Sequence, residues 1–168
     1  MKHAIALMSL ALATPAFAQQ APANPQVDYD GFARLVTELA PVRASHRLAW
    51  PEFARRARAE GAILLDARTP AAFARGHIKG AINLPFTDFT AESLRAALGP
   101  DGDRPVYIYC NNNFRDHRAP VPLKSAPLAL NIPTFVNLHG YGYRNVWELA
   151  DVIGTADPGV EWDGSAAG

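Results

Sequence analysis

Cys110 is the only cysteine in the 168-residue chain, and its setting gives it chemistry. The run Val106-Tyr107-Ile108-Tyr109 is β-branched and aromatic, the composition of a short buried strand. It stops at Cys110 and gives way to Asn111, Asn112, Asn113, Phe114 and Arg115. Asparagine tolerates left-handed backbone angles, so the six residues from Cys110 to Arg115 can curl their peptide N–H groups into a concave nest that favours an anion. Such a nest is expected to lower a thiol pKa and to leave a thiolate nucleophile. The competing reading is a packing cysteine, because free cysteine is often buried as a small hydrophobe. Polar turn formers, then Asp116, His117 and Arg118, follow Cys110 directly and favour a reactive or anion-binding site. A cationic His117 would depress the thiol pKa further.

The elements that must carry this loop alternate in type. Phe32, Leu35, Val36 and Leu39 form a helical stripe over residues 29–42, ending near Pro41; a second helix is expected over 45–59, with Pro51 in its first turn. Arg55, Arg56 and Arg58 lie between Glu52 and Glu60 and read as a solvated helix face rather than a phosphate site. Residues 62–66 are an unbroken apolar run ending in Asp66, as in a strand covered on both faces. A helix over 71–75 ending at Gly76, a short strand over 81–84 and a helix over 86–98 capped by Thr90 follow. Pro120, Pro122 and Pro127 interrupt the segment after the loop. A helix is expected from about Ser125 to His139 with Pro133 as a kink, then a last strand over 146–149 and a loose tail over 154–168. This alternation predicts an α/β fold, an open parallel sheet with helices on both faces. Ligands of such sheets bind beyond the carboxyl ends of strands, where Asp66 and Cys110 both emerge.

The address is read from the start. Lys2, the apolar stretch Ala4 to Ala13 and the small-residue pattern Ala16-Phe17-Ala18 are those of a secretory signal peptide cleaved after Ala18. The expected destination is the periplasm. Cleavage leaves 150 residues with 15 basic and 16 acidic side chains, one domain's worth of chain with no basic field for nucleic acid and no segment for crossing a membrane. A single thiol cannot form an internal disulfide, so in an oxidising compartment it is either buried or used. His46 and His139 have no spacing with a further ligand, so no metal site is expected; no cofactor is expected either. His77, between Gly76 and Ile78, reads as a hydrogen-bonded turn residue, and Tyr141, Tyr143 and Trp147 read as core.

Several segments together resemble a single rhodanese-like domain: Leu65-Asp66-Ala67-Arg68; then Phe73-Ala74-Arg75-Gly76-His77-Ile78-Lys79-Gly80-Ala81-Ile82-Asn83-Leu84-Pro85; then Tyr109-Cys110 with Arg115 closing the loop. Tyr143 to Leu149 resembles the family's closing strand. The resemblance covers residues 48–153, leaving 19–47 as a lead-in and helix. It implies a sulfurtransferase, in which Cys110 accepts a sulfane sulfur from a thiosulfate-like donor, becomes a persulfide and passes the sulfur to a thiophilic acceptor such as cyanide or a thiol. By the same resemblance Asn111 to Phe114 present main-chain N–H groups to the sulfur and Arg115 closes the loop. Asp66 and Arg68, at the end of their strand, read as fixing the loop from behind or as pairing at the core edge. Arg118 can line the pocket.

The family's phosphatases have a loop one residue longer, so the Cys-x4-Arg spacing favours sulfur over phosphate. Two departures stand out. Ala72 takes the place of the family's acidic residue before Phe73, and the active loop lacks glycine, with Phe114 expected to narrow the pocket. The proline-rich segment 116–133 is longer than the family needs, which suggests a lid or a surface for a protein partner. It also parts the loop from the helix whose N-terminus helps active members hold the anion. These departures keep open a second reading, a rhodanese-like binding or sensing module without turnover, and a third, phosphate-ester hydrolysis.

Overall fold

The computed structural model describes residues 24–117 and 119–165. The expected signal peptide (residues 1–18, with its cleavage site after Ala18) and Arg118 lie outside the described residues. Helix α1 spans Tyr29–Ser45, strand β1 Arg47–Leu48, α2 Trp50–Ala57, β2 Ile63–Asp66, α3 Pro70–Arg75, β3 His77–Ile78, β4 Ile82–Asn83, α4 Ala91–Leu98, β5 Val106–Tyr109, α5 Asn131–Gly140, β6 Val146–Leu149 and β7 Trp162–Asp163.

Five of the strands form one parallel sheet in the order β1-β6-β5-β2-β4. Side chains alternate across it, and both faces are covered, which explains the unbroken apolar runs of β2 and β5. Ile63, Leu65, Val106, Ile108 and Val146 pack on one face with Leu94 and Leu98 of α4 and Phe135 and Leu138 of α5, and Leu39 and Val42 of α1 join them. Leu64, Tyr107, Tyr109 and Leu149 pack on the other face with Phe53 of α2, Ile78, Phe114 and Val121. The parallel α/β architecture read from the alternation is therefore present.

Local signals explain the boundaries. Thr90 caps α4 by accepting from the Ser93 N–H while Ser93 Oγ accepts from the Thr90 N–H, a reciprocal pair that satisfies two otherwise free donors. Thr69 caps α3 in front of Pro70. Glu52 accepts from Arg55 and Arg56, which hold its carboxyl down at about 2, so the arginines of α2 are occupied within their own helix face.

Four expectations are corrected. The helix α1 runs past Pro41 to Ser45, where Arg43 bonds to β6. Residues 47–48, expected to be helical, form an edge strand on β6, and α2 starts only at Trp50. The helix expected from Ser125 begins at Asn131, after a 3-10 turn over Ala126–Leu128, so Pro133 falls in its first turn, where proline costs nothing. The segment expected to be a loose tail is docked through Ser165: β7 pairs antiparallel with β3, and the Trp162 ring lies 5.1 Å from that of Phe114. Sequence patterning missed this because a two-residue strand carries no period.

Candidate functional site

β5 ends by delivering Cys110 to the carboxyl edge of the sheet, beside Asp66 at the end of β2. The loop then does something other than curl through six residues. Asn111–Asn113 form one 3-10 turn, and Phe114 resumes an extended conformation, bridged in parallel to Ile153. Phe114 is fully buried, edge-on to Tyr109, so it belongs to the core rather than narrowing a pocket. Of the expected cradle of four consecutive N–H groups, that of Asn113 caps the Cys110 side chain, and the backbone of Asn112 acts on the thiol in the direction that favours its anion.

A further contribution comes from far along the chain. The backbone of Leu130 and Asn131, at the start of α5, also acts on the thiol, in the direction that favours its anion. The proline-rich segment parts loop from helix in sequence but returns the helix N-terminus to the thiol in space, where free N–H groups and the helix dipole favour negative charge. Against them stands burial, since Cys110 is 1 % exposed. Burial is the larger effect and pushes the thiol pKa above its ordinary value of 9.0, with Glu148 adding to the rise. The expected lowering is therefore corrected: in this conformation Cys110 rests as a neutral thiol.

Asn113 holds the turn together. Its Oδ1 accepts from the Cys110 N–H at 2.9 Å and from Asn131 Nδ2 at 3.0 Å, and its Nδ2 donates to the carbonyls of Leu149 and Asp151 at 2.9 and 3.0 Å. Asn112 straps the proline-rich segment to the loop: Nδ2 donates to the Lys124 carbonyl at 2.8 Å and Oδ1 accepts from the Lys124 N–H at 3.1 Å. Asn111 is buried, with its Oδ1 unpartnered.

Arg115 departs most from its expected place. Its guanidinium pairs with Asp157 beyond β6, its side chain is 56 % exposed, and it does not act on the sulfur. His117 is not on the sulfur either. At φ 46° it folds back so that Nδ1 accepts from the Leu123 N–H at 3.0 Å. Asp66 and Arg68 form a fully buried bidentate pair with Nε and NH2 2.5–3.0 Å from the carboxylate oxygens. Tyr109 donates its hydroxyl to Asp66 at 2.7 Å, and Arg68 reaches the carbonyls of Pro120 at 3.0 Å and Gly76 at 2.8 Å. This cluster ties β2, β5, the Gly-His-Ile turn and the proline-rich segment into one wall. His77 is the turn residue expected, donating from Nδ1 to the Phe73 carbonyl at 2.8 Å.

A cavity of about 370 Å³ opens beside the loop, lined by Arg68, Thr69, Arg75, Asn111, Lys124 and Leu130 among others, and no carboxylate among the described residues lines it. A larger one of about 540 Å³, lined by Glu92, Arg95 and Tyr141, holds none of these site residues. Sequence reasoning missed Asn131, Glu148 and Arg43, which stand behind the loop. Glu148 had a signal, a lone charge inside the apolar run of β6; Asn131 had none, because the helix start was misplaced.

The family model of the rhodanese-like domain matches residues 50–151. Thiosulfate sulfurtransferase GlpE of Pseudomonas entomophila (strain L48) is 43 % identical over 60 residues, 36 % of this chain and 51 % of that protein. An uncharacterized protein of Bacillus subtilis (strain 168), YqhL, is 38 % identical over 63 residues, 38 % of this chain and 47 % of that protein. The chain thus spans about half the length of these two curated relatives. The crystal structure of the BH2092 protein from Bacillus halodurans has the same fold, with a TM-score of 0.52 at 18 % identity over 85 % of this chain and 88 % of that one.

Proposed function

Because the chain belongs to the rhodanese-like domain family, we propose that it is a sulfurtransferase working through a Cys110 persulfide. The observation that carries this is the placement of Cys110, the only cysteine of the chain, between the 3-10 turn Asn111–Asn113, whose Asn113 N–H caps its side chain, and the start of α5, where the backbone of Leu130 and Asn131 acts on the thiol in the direction that favours its anion. A cage of neutral donors stabilises a sulfur anion without supplying a general base, which suits transfer of a sulfane sulfur. The Cys110 thiolate attacks the outer sulfur of a thiosulfate-like donor; its S–S bond breaks and sulfite leaves with the electron pair. A thiophile then takes the outer sulfur from the persulfide and returns Cys110 to the thiolate. The cavity beside the loop, with Arg75 and Lys124 on its wall, suits a small sulfur-containing anion or an anionic thiol acceptor.

The compact turn disfavours phosphate-ester hydrolysis, since Arg115 is committed to Asp157. The burial of Cys110 favours a second reading, a binding module that opens only for a partner, with the 116–133 segment as its contact surface. We further propose that residues 1–18 are an export signal, which would place either activity in the periplasm. Thiocyanate formation from thiosulfate and cyanide separates the readings: turnover by the wild type and none by Cys110→Ala supports transfer, and no turnover by either supports the binding module.

A further inference from the structure

Behind the Cys110 loop runs a line of buried polar contacts that the amide cage does not need. Arg43 lies on α1, outside the span matched by the family model. It donates from Nε and NH2 to Glu148 Oε2 and Oε1, both at 2.6 Å. Glu148 is 4 % exposed on β6 and stands in register with Ile108. Since side chains alternate, it lies on the same sheet face as Cys110 two residues on. Asn131 Nδ2 donates both to Glu148 Oε1 at 3.3 Å and to Asn113 Oδ1 at 3.0 Å, and Asn113 Oδ1 in turn accepts from the Cys110 N–H. Asn131 Oδ1 is left buried without a partner. A flipped amide would face its oxygen towards two acceptors, so Glu148 and Asn113 together fix Asn131 at the cost of an unsatisfied carbonyl. The backbone of the same residue acts on the thiol in the direction that favours its anion.

We propose that Glu148, clamped by Arg43, is a positioning residue for Cys110: it orients Asn131 in the amide cage and holds a carboxylate behind the sulfur. The two roles oppose each other in charge. The cage favours a sulfur anion and the carboxylate disfavours it, in the direction in which Glu148 acts on the thiol. Asp66 and Arg68 lie on the opposite face with Tyr109, and Arg115 is held by Asp157, so Glu148 is the charged group that acts on the sulfur from β6. The result is a resting thiol guarded against oxidants, which react with the nucleophilic thiolate, while the cage stays assembled for the anion once it forms.

Its consequence for turnover rests on the sulfurtransferase reading, but the test does not. The ultraviolet absorbance of the thiolate is titrated in the full chain, the curve of the same protein with Cys110→Ser being subtracted from that of each variant. Glu148→Gln removes the charge and is expected to lower the midpoint by about half a unit, a roughly threefold gain in thiolate below it. Glu148→Asp keeps the charge and is expected to stay near the wild type. Arg43→Gln strands a buried carboxylate and is expected to melt earlier than Arg43→Gln/Glu148→Gln, which removes both charges and also has a lowered midpoint. That double variant serves if Glu148→Gln does not fold. A midpoint equal to the wild type in the folded charge-free variants, or none within the folded pH range in any protein, overturns the proposal.

Discussion

The backbone of Asn131, the first residue of α5, acts on the thiol of Cys110 at the end of β5 in the direction that favours its anion. The proline-rich segment between them is held by Arg68 at Pro120 and by Asn112 at Lys124. The sulfur is caged by two elements, a short turn and a distant helix start.

The thiol is buried more effectively than the cage can compensate, so its reactivity is expected to be alkaline. Alkylation of Cys110 by iodoacetamide should keep rising as pH passes 9.0 rather than levelling off below it. The same raised value links to stability. The neutral thiol's contribution is complete below the unfolded-chain pKa and is lost as pH rises through the folded one. Denaturation at a series of alkaline pH values should show this slope in the wild type and not in Cys110→Ala; an alkylation midpoint near neutrality would contradict it.

Asn113 makes four hydrogen bonds from a buried amide, and Asn113→Ala orphans the Leu149 and Asp151 carbonyls as well as the Cys110 N–H. A loss of about 3 kcal/mol in urea denaturation is expected. Sulfur transfer should fall further than stability alone explains, because the turn is also the inner half of the cage.

Arg68→Met leaves Asp66 as an uncompensated buried charge and should cost about 4 kcal/mol. Asp66→Asn/Arg68→Met should recover much of that loss, since burying both charges gains little over burying neither. Chemical denaturation of the two variants in parallel checks this; equal losses would mean that the pair's contacts to Pro120 and Gly76 matter more than its charge.

Arg115 is expected to matter little to the resting thiol. Its ion pair with Asp157 is solvent-screened, so Arg115→Ala should leave the denaturation midpoint near that of the wild type and the alkylation midpoint of Cys110 unchanged. A raised midpoint would mean that the guanidinium swings onto the sulfur.

Much of the fold was legible in the sequence. The apolar runs of β2 and β5, the Thr90 cap and the placement of Cys110 beside Asp66 follow from patterns a few residues long. What was not legible depended on distance: β7 against β3, Arg43 against Glu148, and the return of α5 to the loop are contacts between segments far apart in the chain, which no local period encodes. Arg115 shows the limit most clearly. Its spacing from Cys110 fits a closing role, yet Asp157, in a segment that reads as tail, holds it away. Phe114 was misread for a related reason, since Trp162 and Tyr109 build the core that receives it.

Intact-mass spectrometry of the protein after exposure to thiosulfate tests the central claim most directly, with Cys110→Ala treated alongside. A wild type heavier by one sulfur atom, restored by cyanide, beside an unchanged variant is the predicted result. A wild type that gains no sulfur while Cys110 still alkylates would contradict persulfide transfer from thiosulfate.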